Sequence, residues 1–225
     1  MTNTTTNTDS VTVAVRRATS SDAGPLIAVL AEAFHDGPVA EWLIPDPTDR
    51  RVVLYRYFRN AFHHGLTHGH IDTTTDLSAV AIWYPRLDPP PQGHTRERQE
   101  ALEHATGPYA PKFTLMEAMF DAFHPDEPHH HLAYLAVDPE HQNQGIGAAL
   151  LHEHHRHLDQ VGLPAYLEAT NTRNRQLYHR LGYTAGPPLI LPTDGLPIWR
   201  MWRGQHTPTG RAPFPPNPQP QRRTR

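Results

Sequence analysis

The stretch Leu132-Ala-Tyr-Leu-Ala-Val137, stopped by Asp138-Pro139, constrains this chain more than any other. It is an unbroken apolar run bounded by turn residues, which reads as a buried strand. A polar loop follows, Glu140-His-Gln-Asn-Gln-Gly-Ile-Gly147, and runs into a helix expected from about Ala148 to Gln160, ended by Gly162 and Pro164. The first turn of a helix has unpaired N–H groups and a partial positive charge, and glycines let the backbone approach an oxyanion closely. The loop is therefore a candidate anion site. Two nucleotide readings fail. A P-loop needs a lysine after its glycines, and Lys112 is the only lysine in the chain. The dinucleotide fingerprint lacks one glycine of its three. Taken alone, the loop suits an ordinary strand-to-helix turn nearly as well.

Around this unit, strands and helices alternate. A strand is expected at Val11–Val15 and a helix from the capping residues Ser20–Asp22 through Phe34. A second helix is expected from a Thr48 cap to Gly65, with Val52, Tyr55, Phe58 and Phe62 as its apolar stripe. Short strands follow near His68–Thr73 and Leu77–Tyr84, then an insertion over 85–128 with helices near Thr95–His104 and Pro111–Phe123. In the latter, Phe113, Met116, Phe120 and Phe123 keep helical spacing and pack the segment down; its length and position suggest a lid. Downstream, Ala165–Ala169 is a strand, Asn174–Leu181 a short helix closed by Gly182, and strands near Tyr183–Leu191 and Ile198–Trp202 complete the unit. The pattern is α/β, a single domain over 11–203 with a mixed central sheet and helices on both faces.

Composition limits the rest. The 225 residues include 24 prolines, and apolar residues make up 37%. Much of the proline falls in the insertion and in an arginine-bearing stretch over 204–225, read as a polyproline-like or disordered tail, with residues 1–10 as a second tail. The charge is −3, from 20 basic and 23 acidic residues, which argues against general nucleic-acid binding. No run is long enough to span a membrane, and no apolar signal segment opens the chain. The expectation is a soluble cytoplasmic protein, monomer or homodimer. Absence of cysteine excludes disulfides, thiolate metal sites and a cysteine nucleophile.

The run Ala133–Tyr183 resembles the core of the GNAT superfamily of N-acetyltransferases. The Q/R-x-x-G-x-G/A loop stands as Gln142, Gly145 and Gly147; the N-x-x-N-x-x-x-Y-x-x-x-G-[FY] element stands as Asn171, Asn174, Tyr178, Gly182 and Tyr183. Within the superfamily the puromycin N-acetyltransferase type is most similar, on Leu135-Ala-Val-Asp-Pro139, Pro164-Ala-Tyr-Leu-Glu168 and Ala81-Ile-Trp83. The resemblance implies an acetyl-CoA cosubstrate lying where two central strands splay apart. Leu135, Ala136 and Val137 would pair with its pantetheine arm. Gln142, Asn143, Gln144, Gly145, Ile146, Gly147 and Ala148 would hold the pyrophosphate, and Asn171 and Asn174 the thiol end. The Leu135 N–H, near a bulge, would stabilise the oxyanion, and Tyr178 would protonate the departing thiolate. A packing role beside Leu177 and Leu181 is the alternative for Tyr178.

For the base, Glu168 stands first, a carboxylate on an apolar strand, with a surface pair to an arginine such as Arg173 as its alternative. His131 stands second, and a water relay third. Trp83, Tyr84, Tyr134 and His131 are the candidate acceptor-site residues, an aromatic set that suits a flat amine; Trp83 and Tyr134 as plain core is the rival reading. The 18 histidines invite a metal reading. His152-Glu-His-His-Arg156 is not HExxH, because Arg156 takes the second ligand position. Ile146, Leu150, Leu158 and Val161 mark the buried face of that helix, which puts His154 near the core and His152 and His155 in solvent. No metal is expected. The expected activity is direct acetyl transfer to a primary amine of a small molecule, antibiotics among the candidates, with a protein or peptide amine, or a non-catalytic coenzyme A-binding module, as alternatives.

Overall fold

A computed structural model describes residues 13–88, 96–193 and 195–204. The expected tail over 1–10 and, apart from Gly204, that over 204–225 lie outside the described residues, as does the start of the first expected strand.

The chain runs β1 (Val15–Arg17), α1 (Ala23–His35), α2 (Pro38–Leu43), α3 (Pro47–His68), β2 (His70–Thr74), β3 (Ala79–Arg86), α4 (Arg96–Thr106) and α5 (Ala110–Ala122). It continues β4 (His129–Val137), α6 (Ile146–Val161), β5 (Ala165–Ala169), α7 (Thr172–Arg180), β6 (Thr184–Ile190) and β7 (Pro197–Arg203). The seven strands form one sheet in the order β1-β2-β3-β4-β5-β7-β6. Only β4 and β5 are parallel; the other neighbours are antiparallel. Alternation along the strands divides the core in two. Val80, Ile82 and Ala136 face α1, α3 and α5, whereas Ala79, Ala81, Trp83 and Leu132 face α6 and α7.

The α/β class, mixed sheet and helices on both faces are as the sequence predicts. α2 went unread, being one and a half turns opened by Pro38. In α3 the cap is Asp46, whose carboxylate accepts from the Thr48 N–H at 2.7 Å, so the helix starts before the predicted Thr48. Gly65 does not end this helix but lies buried within it. A Cβ there would sit 2.9 Å from Ile82 Cγ2 and 3.0 Å from Ile71 Cδ1, so glycine lets α3 lie directly on the sheet. The buried stripe is Val53, Leu54, Phe58 and Phe62, while Val52 and Tyr55 are exposed.

The insertion helices α4 and α5 pack down on α3, and Phe113 is fully buried 4.9 Å from the Tyr57 ring. On α6 the buried side chains are Ile146, Leu150, Leu151, His154, His155 and Leu158. Val161 is 52% exposed, contrary to expectation. His155 is likewise not in solvent: it lies against the Trp83 ring and pairs with the Tyr183 hydroxyl at 2.9 Å. That partner is what makes its burial tolerable.

Candidate active site

The sheet opens between its two central strands. β4 and β5 pair only at His130–Ala165, His131–Tyr166 and Leu132–Leu167. The cause lies in β4: Ile82 of β3 faces Tyr134 while Trp83 faces Leu132, which leaves Ala133 as a bulge. The His130 N–H donates toward β5, to Pro164 O at 2.9 Å, and the Asp138 N–H donates toward β3, to Ser78 O at 2.8 Å. Alternation back from Asp138 turns the N–H groups of Val137 and Leu135 away from β3 and into the opening.

A cavity of about 110 Å³ lies against this opening. Its walls are apolar, from Phe34, Leu54, Phe58, Phe113, Met116 and Phe120, with Leu132, Ala133 and Leu135 from β4. Polar groups enter at few points: Tyr57, Tyr134, Glu168, Thr170, Asn174 and Tyr178. Glu168 is buried, and its Oε2 lies 2.8 Å from His131 Nε2. The two candidate bases are thus partners, with Glu168 in the cavity wall and His131 behind it. Glu168 Oε1 has no hydrogen-bond partner at bonding geometry among the described residues, while the Tyr166 hydroxyl lies near enough to act on the carboxylate. Arg173 is not its partner; that guanidinium donates to Asn143 Oδ1 on the glycine loop. The Tyr178 hydroxyl is hydrogen-bonded to no described residue, and burial raises its pKa above the ordinary tyrosine range.

The loop ends on Gly145, whose φ of +82° is the left-handed region that glycine enters without strain. No side chain caps α6, and its first internal bond runs from the Ala149 N–H to Gly145 O at 3.0 Å. The N–H groups of Ile146, Gly147 and Ala148 are therefore available to an anion. Gln142 ties the loop to β4 by donating to Val137 O at 3.2 Å, and Gln144 donates to Glu140 O. Arg173 adds a cation beside this helix start, which no motif had marked.

Some predicted residues lie elsewhere. Trp83 is fully buried on the far face of the sheet, stacked on His154 with ring centres 4.0 Å apart, and Tyr84 packs on α3 with its hydroxyl on Ala61 O. Neither reaches the cavity. Consecutive strand residues point to opposite faces, so the pair could not have acted together. Asn171 caps α7, its Oδ1 accepting from the Asn174 N–H at 2.8 Å, which leaves Asn174 rather than Asn171 at the cavity. Tyr57 was missed: it sits on α3, and its hydroxyl lies 2.7 Å from that of Tyr134.

The histidines are mostly structural partners. His154 sits between Asp72 Oδ2 at 3.1 Å and His130 at 3.0 Å, and His70 meets Asp72 Oδ1 at 2.6 Å. Among the described residues, His70, Asp72 and His154 are a group with potential metal-ligand atoms within 4.8 Å of one another, but hydrogen bonds among themselves occupy those atoms. Burial lowers the His154 pKa and brings His130 to about 4, so both imidazoles are neutral at pH 7.

This geometry has parallels. Residues 116–185 match the family model of the acetyltransferase (GNAT) domain. An uncharacterised N-acetyltransferase of Schizosaccharomyces pombe is 22% identical over 201 residues, covering 81% of this chain and 78% of that protein. The structure of a histone acetyltransferase HPA2 and related acetyltransferase from Corynebacterium glutamicum superposes with a TM-score of 0.67 at 28% identity, over 88% of this chain and 99% of that one. PaiA N-acetyltransferase from Thermoplasma acidophilum, solved in complex with coenzyme A, gives 0.53 at 13% identity, over 86% and 99%. The fold is the GNAT fold, and the chain carries a GNAT acetyltransferase domain. The protein is an N-acetyltransferase. The GNAT fold uses acetyl-CoA, and an uncapped helix start flanked by an arginine, next to an open strand edge, fits such a cosubstrate. No described helix is long and apolar enough to cross a membrane.

Proposed function

We propose that the protein transfers acetyl directly from acetyl-CoA to the primary amine of a small, largely apolar molecule. One observation carries the reading: a single cleft gathers outward N–H groups of β4, a buried carboxylate with an unbonded oxygen, and an unbonded tyrosine hydroxyl. The pyrophosphate rests on the N–H groups of Ile146 to Ala148 beside Arg173, and the pantetheine arm runs along the open edge of β4. The thioester carbonyl oxygen takes the Leu135 N–H, which stabilises charge as it develops there. Glu168, oriented by His131, removes a proton from the ammonium; the freed nitrogen attacks the carbonyl carbon. A C–N bond forms and the C–S bond breaks; the thiolate takes the Tyr178 hydroxyl proton, and the phenolate so formed takes the second proton that the attacking nitrogen gives up, which leaves a neutral amide, a thiol and a restored tyrosine. With no cysteine in the chain to carry acetyl, transfer is direct.

The apolar walls favour a compact monoamine over a basic peptide, for which one carboxylate would be poor recognition. Antibiotic amines fall within this class, and the likeness of Leu135–Pro139 and Pro164–Glu168 to the puromycin-acetylating type points the same way. The decisive experiment is Glu168→Gln assayed by thiol release with a panel of amines. We expect kcat to fall about 100-fold or more while acetyl-CoA binding by calorimetry is unchanged. A variant that keeps more than half the wild-type kcat removes Glu168 from the mechanism.

A further inference from the structure

The acceptor cavity has a second polar point besides Glu168. Tyr57 of α3 and Tyr134 of β4 meet hydroxyl to hydroxyl at 2.7 Å, and both line the cavity. Aromatic rings fix the two phenols from several sides. Tyr134 lies edge-on to Phe58 at 5.3 Å and to Phe34 at 6.2 Å, and Tyr57 lies against Phe113 at 4.9 Å. Burial raises both phenols above the ordinary tyrosine range, helped by the Glu117 charge for Tyr57 and by Tyr57 for Tyr134, so both stay protonated.

Two hydroxyls carry two hydrogens, and the bond between them uses one. No described residue accepts the second. The surrounding rings offer no oxygen, so that hydrogen is directed by a fixed pair into an apolar space. A buried donor left without an acceptor is costly, and such sites discriminate strongly for ligands that complete them.

We infer that the Tyr57–Tyr134 hydroxyl pair is a recognition subsite that donates one hydrogen bond to an uncharged oxygen of the acceptor. The inference rests on the cavity being the acceptor site. The acceptor class becomes a primary monoamine with an apolar, ring-sized body and a hydroxyl, ether or carbonyl oxygen remote from the nitrogen. Glu168 receives the ammonium end, and the tyrosine pair reads the far end. A carboxylate in place of that oxygen is disfavoured: the cavity wall has no lysine or arginine, and the Glu117 charge already acts on Tyr57 and Tyr134.

The test compares phenylmethyl-, phenylethyl- and phenylpropylamine with their 4-hydroxy and 4-methoxy derivatives, reading kcat/KM by thiol release and Kd by calorimetry. For at least one skeleton the wild type should favour the oxygen-bearing member about fivefold to tenfold, the size of one net hydrogen bond. In Tyr57→Phe/Tyr134→Phe the ratio should fall to about one. Each single variant retains one hydroxyl hydrogen and should keep part of the preference. Because each readout is a ratio on one enzyme, a general loss of activity cancels. A wild-type ratio near one for every skeleton, as when water satisfies the pair, overturns the inference, and so does a ratio that survives in the double variant. If the double variant does not fold, the wild-type series and the single variants decide. If no amine is acetylated although acetyl-CoA binds, the transfer reading has failed, and the Kd ratios alone then uphold or overturn the subsite.

Discussion

Tyr178 and Glu168 divide the proton traffic, and their surroundings suit them to it. The phenol is buried and unbonded, held as a neutral donor; the carboxylate keeps one oxygen on His131 and leaves the other unbonded. Tyr178→Phe removes only the donor. Its kcat should fall about 100-fold with KM for acetyl-CoA little changed, measured by steady-state thiol release, and the deficit should shrink with an acetyl thioester of a more acidic thiol. A loss equal for all thioesters would leave Tyr178 a packing residue. Glu168 was legible in the sequence because a carboxylate on an otherwise apolar strand needs a reason. His131 was legible as a rival base but not as its partner, since nothing local tells which histidine of His129-His-His131 shares a face with a residue 37 positions away. Tyr57 was invisible for the same cause, lying 77 positions from Tyr134.

At the scale of elements, α3 owes its close seat on the sheet to a glycine. Gly65 brings α3 onto Ile71 and Ile82 at distances a methyl group could not share. Gly65→Ala should destabilise the protein by about 1–3 kcal/mol through overpacking, read as a lower urea midpoint at unchanged slope. Equal stability would mean that the Ile71 and Ile82 side chains make room for the added methyl. The sequence marked most helices and strands because periodicity and turn residues are local signals. It put Gly65 at a helix end because glycine usually stops helices, and here tertiary contact outweighed that preference. The glycine loop before α6 was legible as an anion site on its own chemistry. The opening beside it follows from the Ala133 bulge, a register fact visible only once β3 and β4 are paired.

The molecule as a whole hides many of its histidines. Burial lowers His124 to about 2, His129 and His130 to about 4, and His155 to about 3. In the unfolded chain these groups titrate near 6.5. Above that pH neither state is protonated and they leave stability unchanged. Below it the unfolded chain takes up protons that the folded protein refuses, so stability falls as pH drops from about 6.5 toward the folded values. Each such group contributes a slope of about 1.4 kcal/mol per pH unit. Urea midpoints should therefore be flat from pH 8 to 7 and decline steeply between pH 6.5 and 5. A flat profile across that range would show that these imidazoles are open to water. The histidine excess, the most conspicuous count in the sequence, thus bears on acid tolerance; counting could not reveal which rings the fold encloses.

The short parallel seam between β4 and β5 has a mechanical meaning. Among the described residues, backbone pairing joins one leaf of the sheet, β1 to β4, to the other, β5 to β7, at three positions, with the His131–Glu168 contact beside them. The reaction cleft therefore lies along the binding of the book, where the two leaves are joined least. A ligand seated there becomes part of the stitching, so that filling the site and holding the molecule together are one event.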